Sequence, residues 1–202
     1  MSNLVLPTSY LPCRAYFSHV KSNSEITIEI YESFQKQSSR NRAFIYTSNG
    51  IQTLSIPLSS RKNHQLTKDI TIDYTTRWQD IHWRAIESAY NSSPFFLYYK
   101  DELFTLLYKQ EKFLIDFNLN LLNWLLKKIK IKSMINYSQN FENLNTNIVF
   151  QDLTQKQYKS SLLNNYSDKQ YVQVFQAKHG YIDNLSCIDL LFNEGPNTIS
   201  LI

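Results

Sequence analysis

The chain has 202 residues, a formal net charge of +4, and 43% hydrophobic and 14% aromatic content. That length and apolar share predict one packed domain rather than a disordered chain, and the mild charge is too small to argue for nucleic acid without a focused basic patch. Only 3 glycines are present and no dinucleotide or P-loop fingerprint occurs, so a Gly-rich phosphate cradle is excluded. Cys13 and Cys187 match no metal spacing, and His19, His64, His82 and His179 have no paired spacing with Cys, Asp or another His, so no metal site is expected. No basic segment followed by a long apolar run opens the chain, and no apolar run approaches ~18 residues. This predicts neither signal peptide nor membrane span, and a cytoplasmic protein.

Residues 3–7 form a short apolar run that fits a buried first strand, and Ala15 to Val20 fits a first helix after Pro12. Glu25 to Tyr31 alternates β-branched and polar residues and reads as a strand. The segment that follows, from Phe34 to Arg42, is dense in donors: Gln35, Lys36, Gln37, Arg40, Asn41 and Arg42. Loops after strands collect functional groups, and Arg forks match carboxylate or phosphate, so this loop is a candidate anion-recognition site. A solvated surface loop is the competing reading.

Segments 43–47 and 51–58 flank Asn49-Gly50, a hairpin signal because glycine supplies positive φ at little cost. Residues 59–68 read as a mobile polar loop with an exposed His64, and 70–73 as a short strand. Trp78 to Tyr90 has helical spacing with bulky apolar groups on two faces, Trp78, His82, Ala85 and Ala89 on one and Trp83, Ile86, Glu87 and Tyr90 on another. Arg84 stands one helical turn from Asp80 and Glu87. Ser93-Pro94 signals a new helix, continuing through 101–109. A longer helix over 111–129 carries a stripe of Leu114, Phe117, Leu121, Leu125 and Ile129, and a strand should follow Lys127 to Lys132. Residues 137–169 are Asn-, Gln- and Ser-rich and read as loop. Residues 171–175 fit a short strand, and 186–193 a last helix stopped by Gly195-Pro196. Asp189 falls mid-helix among apolar neighbours and needs a partner, with Arg40, Arg42 or Arg84 as candidates. The architecture these elements predict is α/β: a mixed sheet from the N-terminal half packed by helices, compatible with a Rossmann-like start, in a single domain over 1–202.

Several segments resemble the WbqC-like family: Tyr-Leu-Pro-Cys-Arg-Ala-Tyr-Phe at 10–17, the Tyr31 to Arg42 stretch, Asn-Gly-Ile-Gln-Thr-Leu-Ser-Ile-Pro-Leu at 49–58, Trp-Gln-Asp-Ile-His-Trp-Arg-Ala-Ile-Glu-Ser-Ala-Tyr at 78–90, and 184–195. Long members carry His-Gln-Pro before the first Pro-aromatic segment; here Leu6-Pro7-Thr8-Ser9-Tyr10 stands there without a His. The resemblance implies a link to O-antigen gene clusters and a transferase role, with glycine transfer among those suggested.

On that reading the chain is a cytoplasmic transferase acting on an anionic activated donor, a nucleotide, nucleotide sugar or acyl donor. Gln35, Lys36, Arg40, Asn41 and Arg42, with Tyr16 and Asp189, would contact the substrate. His82 or Glu87 would be the general base, and Arg84 would orient Glu87 or stabilise developing charge. For His82, Arg84 and Glu87 a purely structural role, a satisfied buried His beside an ion pair, competes with this. A non-catalytic binding or assembly protein is the alternative, motivated by many aromatics and no recognised nucleophile motif. The sequence names no cofactor and no oligomeric state.

Overall fold

The computed structural model describes residues 4–59, 64–142 and 169–202. Three strands, β1 (Leu4–Pro7), β2 (Glu25–Glu29) and β5 (Met134–Tyr137), form a parallel sheet in the order β1-β2-β5. Adjacent parallel strands need a crossover, and α1 (Arg14–Lys21) supplies it between β1 and β2. The register pairs Pro7 with Glu29 and Ile28 with Tyr137, so all three strands end at one edge. The central β2 is buried from Ile26 to Glu29, as a parallel strand covered on both faces must be.

The chain is α/β, as its pattern predicted, but its parallel and antiparallel strands are divided between two sheets. The hairpin of β3 (Arg42–Thr47) and β4 (Gly50–Ser55) forms a separate two-stranded sheet. Its turn is Ser48–Asn49, and Gly50, at φ +93°, opens the return strand. The third parallel strand comes from beyond the helices rather than from the N-terminal half.

Helix α2 (Trp78–Tyr90) buries Trp78, His82, Ile86 and Ala89, the stripe expected of an amphipathic helix. The Ser93 hydroxyl turns back to Tyr90 O at 2.6 Å instead of capping the next helix, so α3 (Phe96–Tyr108) starts later than Ser93-Pro94 implied. Phe113 is extended and bridged to Thr71, and α4 (Leu114–Ile129) begins after it. Its predicted stripe of Leu114, Phe117, Leu121, Leu125 and Ile129 is fully inside. The short α5 (Gln176–His179), α6 (Cys187–Glu194) and α7 (Thr198–Leu201) complete the chain. The strands expected at 70–73 and 171–175 do not form: Thr71 and Ile72 make single bridges, and 171–175 is irregular. Most of the loop expected at 137–169, and positions 60–63 of the loop expected at 59–68, lie outside the described residues.

Aromatic rings fill the space between layers, with Phe192 of α6 against Tyr90, Phe96 and Tyr99. Past α6, Gly195 sits at φ +52°, and a Cβ there would come within 2.5 Å of the Phe95 ring. Strain and overlap act together, so Gly195→Ala is expected to lower unfolding free energy by about 2 kcal/mol or more, measured by urea denaturation.

Candidate functional site

The parallel strands end where three donor-rich segments meet: residues 8–13 after β1, the 30–42 segment after β2, and residues 138–142 after β5. Two small pockets open there, with Ser9 in the wall of both. The first, about 330 Å³ with open solvent included, is lined by Ser9, Cys13, Ser39, Arg42, Asn184 and Ser186 among others. The second, about 210 Å³, is lined by Thr8, Ser9, Ile28, Asn118, Leu122 and Tyr137 among others.

The 30–42 segment is held from several sides. Arg40 Nε donates to Glu32 Oε1 at 2.6 Å and Nη2 to Glu32 Oε2 at 2.5 Å, both residues 4% exposed. The carbonyl of Arg40 accepts Asn118 Nδ2 at 2.8 Å, and that of Ser39 accepts the Tyr10 amide at 2.9 Å. Arg42 then opens β3, where alternation puts Arg42, Phe44 and Tyr46 on one face. Phe44 and Tyr46 pack with Leu185 on that face, which turns Arg42 toward Asn184 and Ser186. Arg42 is half-buried, makes no ion pair among the described residues, and shares its pocket with no carboxylate.

The opposite wall is built by pairing the two chain ends. Arg14 N donates to Leu185 O at 3.1 Å and Cys187 N to Pro12 O at 2.8 Å, which brings Cys13 opposite Ser186. Asn184 Oδ1 accepts the Ala15 amide at 2.8 Å, so the N-terminus of α1 lends the pocket its field rather than free donors. Burial pushes the Cys13 thiol up to about 11, offset in part by hydrogen bonds from Tyr16 and Asn184. It is therefore a poor nucleophile at neutral pH.

The sequence-predicted residues separate on this framework. Arg42 lines the pocket, while Gln35 and Lys36 are exposed on the loop before it. Arg40 is committed to Glu32 rather than offered to a ligand. Asn41 is buried, with Nδ2 on Ile56 O at 3.0 Å. Tyr16 is a core residue whose hydroxyl donates to Pro7 O at 3.2 Å. Asp189 lies inside α6 without Arg40, Arg42 or Arg84; it accepts Tyr171 at 2.6 Å and Gln173 at 3.1 Å. Burial raises its pKa, and hydrogen bonds from Tyr171, Tyr90 and Gln173 oppose that.

His82, Arg84 and Glu87 are not brought together. His82 points inward, pairs with Tyr10 Oη through Nδ1 at 2.9 Å, and packs on Trp78. Arg84 and Glu87 are exposed on the outer side of α2, and Arg84 borders an open groove by the hairpin tip. Asp80 pairs with Arg77 at 2.6 Å.

Sequence reasoning missed Glu32 and Glu29. Glu29 is fully buried at the end of β2, where Oε2 accepts the Glu142 amide at 2.6 Å. A carboxylate closing a β-branched strand was the available signal for it. It also missed Arg14, whose Nη1 donates to Tyr181 Oη at 3.1 Å and whose Nε donates to Leu201 O at 2.9 Å. Among the described residues no cluster of His, Cys, Asp and Glu could hold a metal ion, and no helix is long and apolar enough to cross a membrane.

The profile of the WbqC-like protein family matches residues 8–174, from the end of β1 through β5 and beyond, and the chain belongs to that family. It is 30% identical over 140 residues to the uncharacterized protein Rv1507c of Mycobacterium tuberculosis (strain ATCC 25618 / H37Rv). That match covers 68% of this chain and 60% of the relative's length. No solved structure matches the chain.

Two outcomes test this geometry. Arg40→Ala strands the Glu32 carboxylate inside the protein and is expected to cost about 3–5 kcal/mol of stability, while replacing both (Arg40→Met with Glu32→Gln) restores most of it. Burial, partly offset by the backbone of Ser55, lowers the His82 pKa from 6.5 to about 4. The fold therefore favours the neutral ring. Its contribution is complete above pH 6.5 and lost as pH falls toward 4, a change on the order of 3 kcal/mol. Chemical denaturation across that range should show the loss, and His82→Gln should flatten it.

Proposed function

We propose that this chain binds an anionic activated donor at the Arg42 pocket and serves as a cytoplasmic transferase in surface-polysaccharide assembly of the O-antigen type. The chain would act as one unit over 1–202, with aminoacyl or glycine transfer as the reaction the family resemblance favours. The observation that carries the binding step is a half-buried guanidinium with no carboxylate partner among the described residues, facing the hydroxyl of Ser39 and the thiol of Cys13. Taking a cation partly out of water without a counter-charge is unfavourable, and a bound phosphate or carboxylate would remove that penalty through a bidentate contact. The reading leaves His82, Arg84 and Glu87 outside the reacting centre, since one is an interior neutral imidazole and the others face solvent.

One observation favours an assembly role as the second reading. Leu97 and Tyr98, adjacent on α3, are 64% and 76% exposed, apolar surface of the kind interfaces use.

Thermal shift against uridine diphosphate, nucleotide sugars and aminoacyl adenylate analogues separates the two. A ligand at ~100 times its dissociation constant adds about 2.7 kcal/mol, enough to move the melting temperature visibly. The expected result is a stabilising phosphate-bearing ligand whose affinity falls at least ~10-fold, about 1.4 kcal/mol, in Arg42→Ala. A well-folded protein that no anion stabilises would turn the reading toward assembly.

A further inference from the structure

The second pocket, on the far side of Ser9 from Arg42, holds polar groups that the protein itself leaves unmatched. Asn118 is 1% exposed, and its amide orientation is fixed because Nδ2 donates both to Thr8 Oγ1 at 3.1 Å and to Arg40 O at 2.8 Å. Its Oδ1 is then necessarily the acceptor, and it is buried with no partner among the described residues. The hydroxyl of Tyr137, at the end of β5, is likewise buried and unpartnered. Both side chains line the pocket, together with Thr8 and Ser9. Buried polar atoms in folded proteins almost always find a partner, so two orphans on side chains that line one cavity ask for a guest able to hydrogen-bond them. Burial holds the Tyr137 phenol up at about 12, so at neutral pH it keeps its proton.

We infer that this compartment receives a hydroxyl or amino group of the same ligand whose anionic group sits on Arg42. A ligand hydroxyl would donate to Asn118 Oδ1 and accept from the Tyr137 phenol, whereas an ammonium group, which cannot accept, would donate to both Asn118 Oδ1 and Tyr137 Oη. The inference rests on the Arg42 binding reading and narrows it. The ligand would carry a phosphate or carboxylate and, on a short linker, a hydrogen-bond-donating group, since the two pockets share Ser9 in their walls. Position in the fold agrees, because ligands of open parallel sheets sit beyond the carboxyl ends of the strands, where Thr8, Ser9 and Tyr137 lie.

Calorimetric titration of the full chain with six monoesters tests this: ethyl and propyl phosphate, 2-hydroxyethyl and 3-hydroxypropyl phosphate, and 2-aminoethyl and 3-aminopropyl phosphate. The expected result is that a hydroxyl- or amino-bearing ester binds at least tenfold tighter than its plain alkyl counterpart. That gain is lost in Tyr137→Phe, which removes only the unpartnered oxygen, and in Asn118→Ala, while alkyl phosphate binding is retained in Tyr137→Phe. The hydroxyl and amino arms identify which donor the compartment prefers. Equal affinity for all six, abolished by Arg42→Ala, would mean the compartment holds only an ordered water; the inference would fail and the Arg42 reading stand. No binding of any ester would overturn both.

Discussion

The Arg40–Glu32 pair is the interaction on which the site depends. A bidentate ion pair removed from water gives little net stability over an apolar replacement, but breaking half of it is costly. Its value here is positional. With the guanidinium fixed on Glu32 and the Arg40 carbonyl fixed on Asn118, the backbone enters β3 in one register. A strand alternates faces, so that register decides that Arg42 rather than Ala43 looks toward Asn184 and Ser186. The same clamp sets Asn118, because the amide that secures Arg40 O leaves Oδ1 facing the second pocket. One buried pair thus orients both a cation and an acceptor that have no partner among the described residues.

Around that clamp the fold supplies a crevice rather than a deep cavity. Parallel strands in register bring their carboxyl ends to one edge, and the segments leaving β1, β2 and β5 meet there. The antiparallel bridge of Cys13 with Ser186 draws α6 onto α1 and closes the wall opposite Arg42. Residues near the two ends of the chain, Ser9 and Ser186, therefore wall one pocket. Among the described residues the pocket walls offer hydroxyls, amides and a guanidinium without an ion pair, groups that suit recognition. Cys13 is held protonated by burial, and the interior imidazole of His82 is hydrogen-bonded away from solvent. Catalysis at such a site would come from positioning a reactive donor and excluding water.

Much of the fold was legible because period is a direct consequence of geometry. The stripe from Leu114 to Ile129 and the alternation at 25–31 can be read without tertiary information, and both elements formed there. The helix starts at Ser93 and Glu111 were misread because local signals were diverted by partners: the Ser93 hydroxyl closes the end of α2, and Phe113 stays extended to bridge Thr71. Segment 70–73 has the composition of a strand but finds only isolated bridge partners. The site was legible as a donor-dense loop, not residue by residue. Spacing cannot tell Arg40 from Arg42, since what separates them is Glu32, a carboxylate eight positions away whose approach depends on how the loop folds. Likewise His82, Arg84 and Glu87 share one helix, but 100° per residue places the first inward and the others outward. Asn118 carried no sequence signal at all; in the middle of a helix its only visible effect was to break an apolar stripe.

On the proposed reading Arg42 is an anion site and Arg40 is not. A crystal of the full chain soaked in sodium tungstate tests it directly, because the heavy tetrahedral oxyanion mimics phosphate and scatters anomalously. An anomalous peak is expected within hydrogen-bond distance of the Arg42 guanidinium and the Ser39 hydroxyl, with the Arg40–Glu32 pair undisturbed. An empty Arg42 pocket, with tungstate only on exposed lysines, would contradict it.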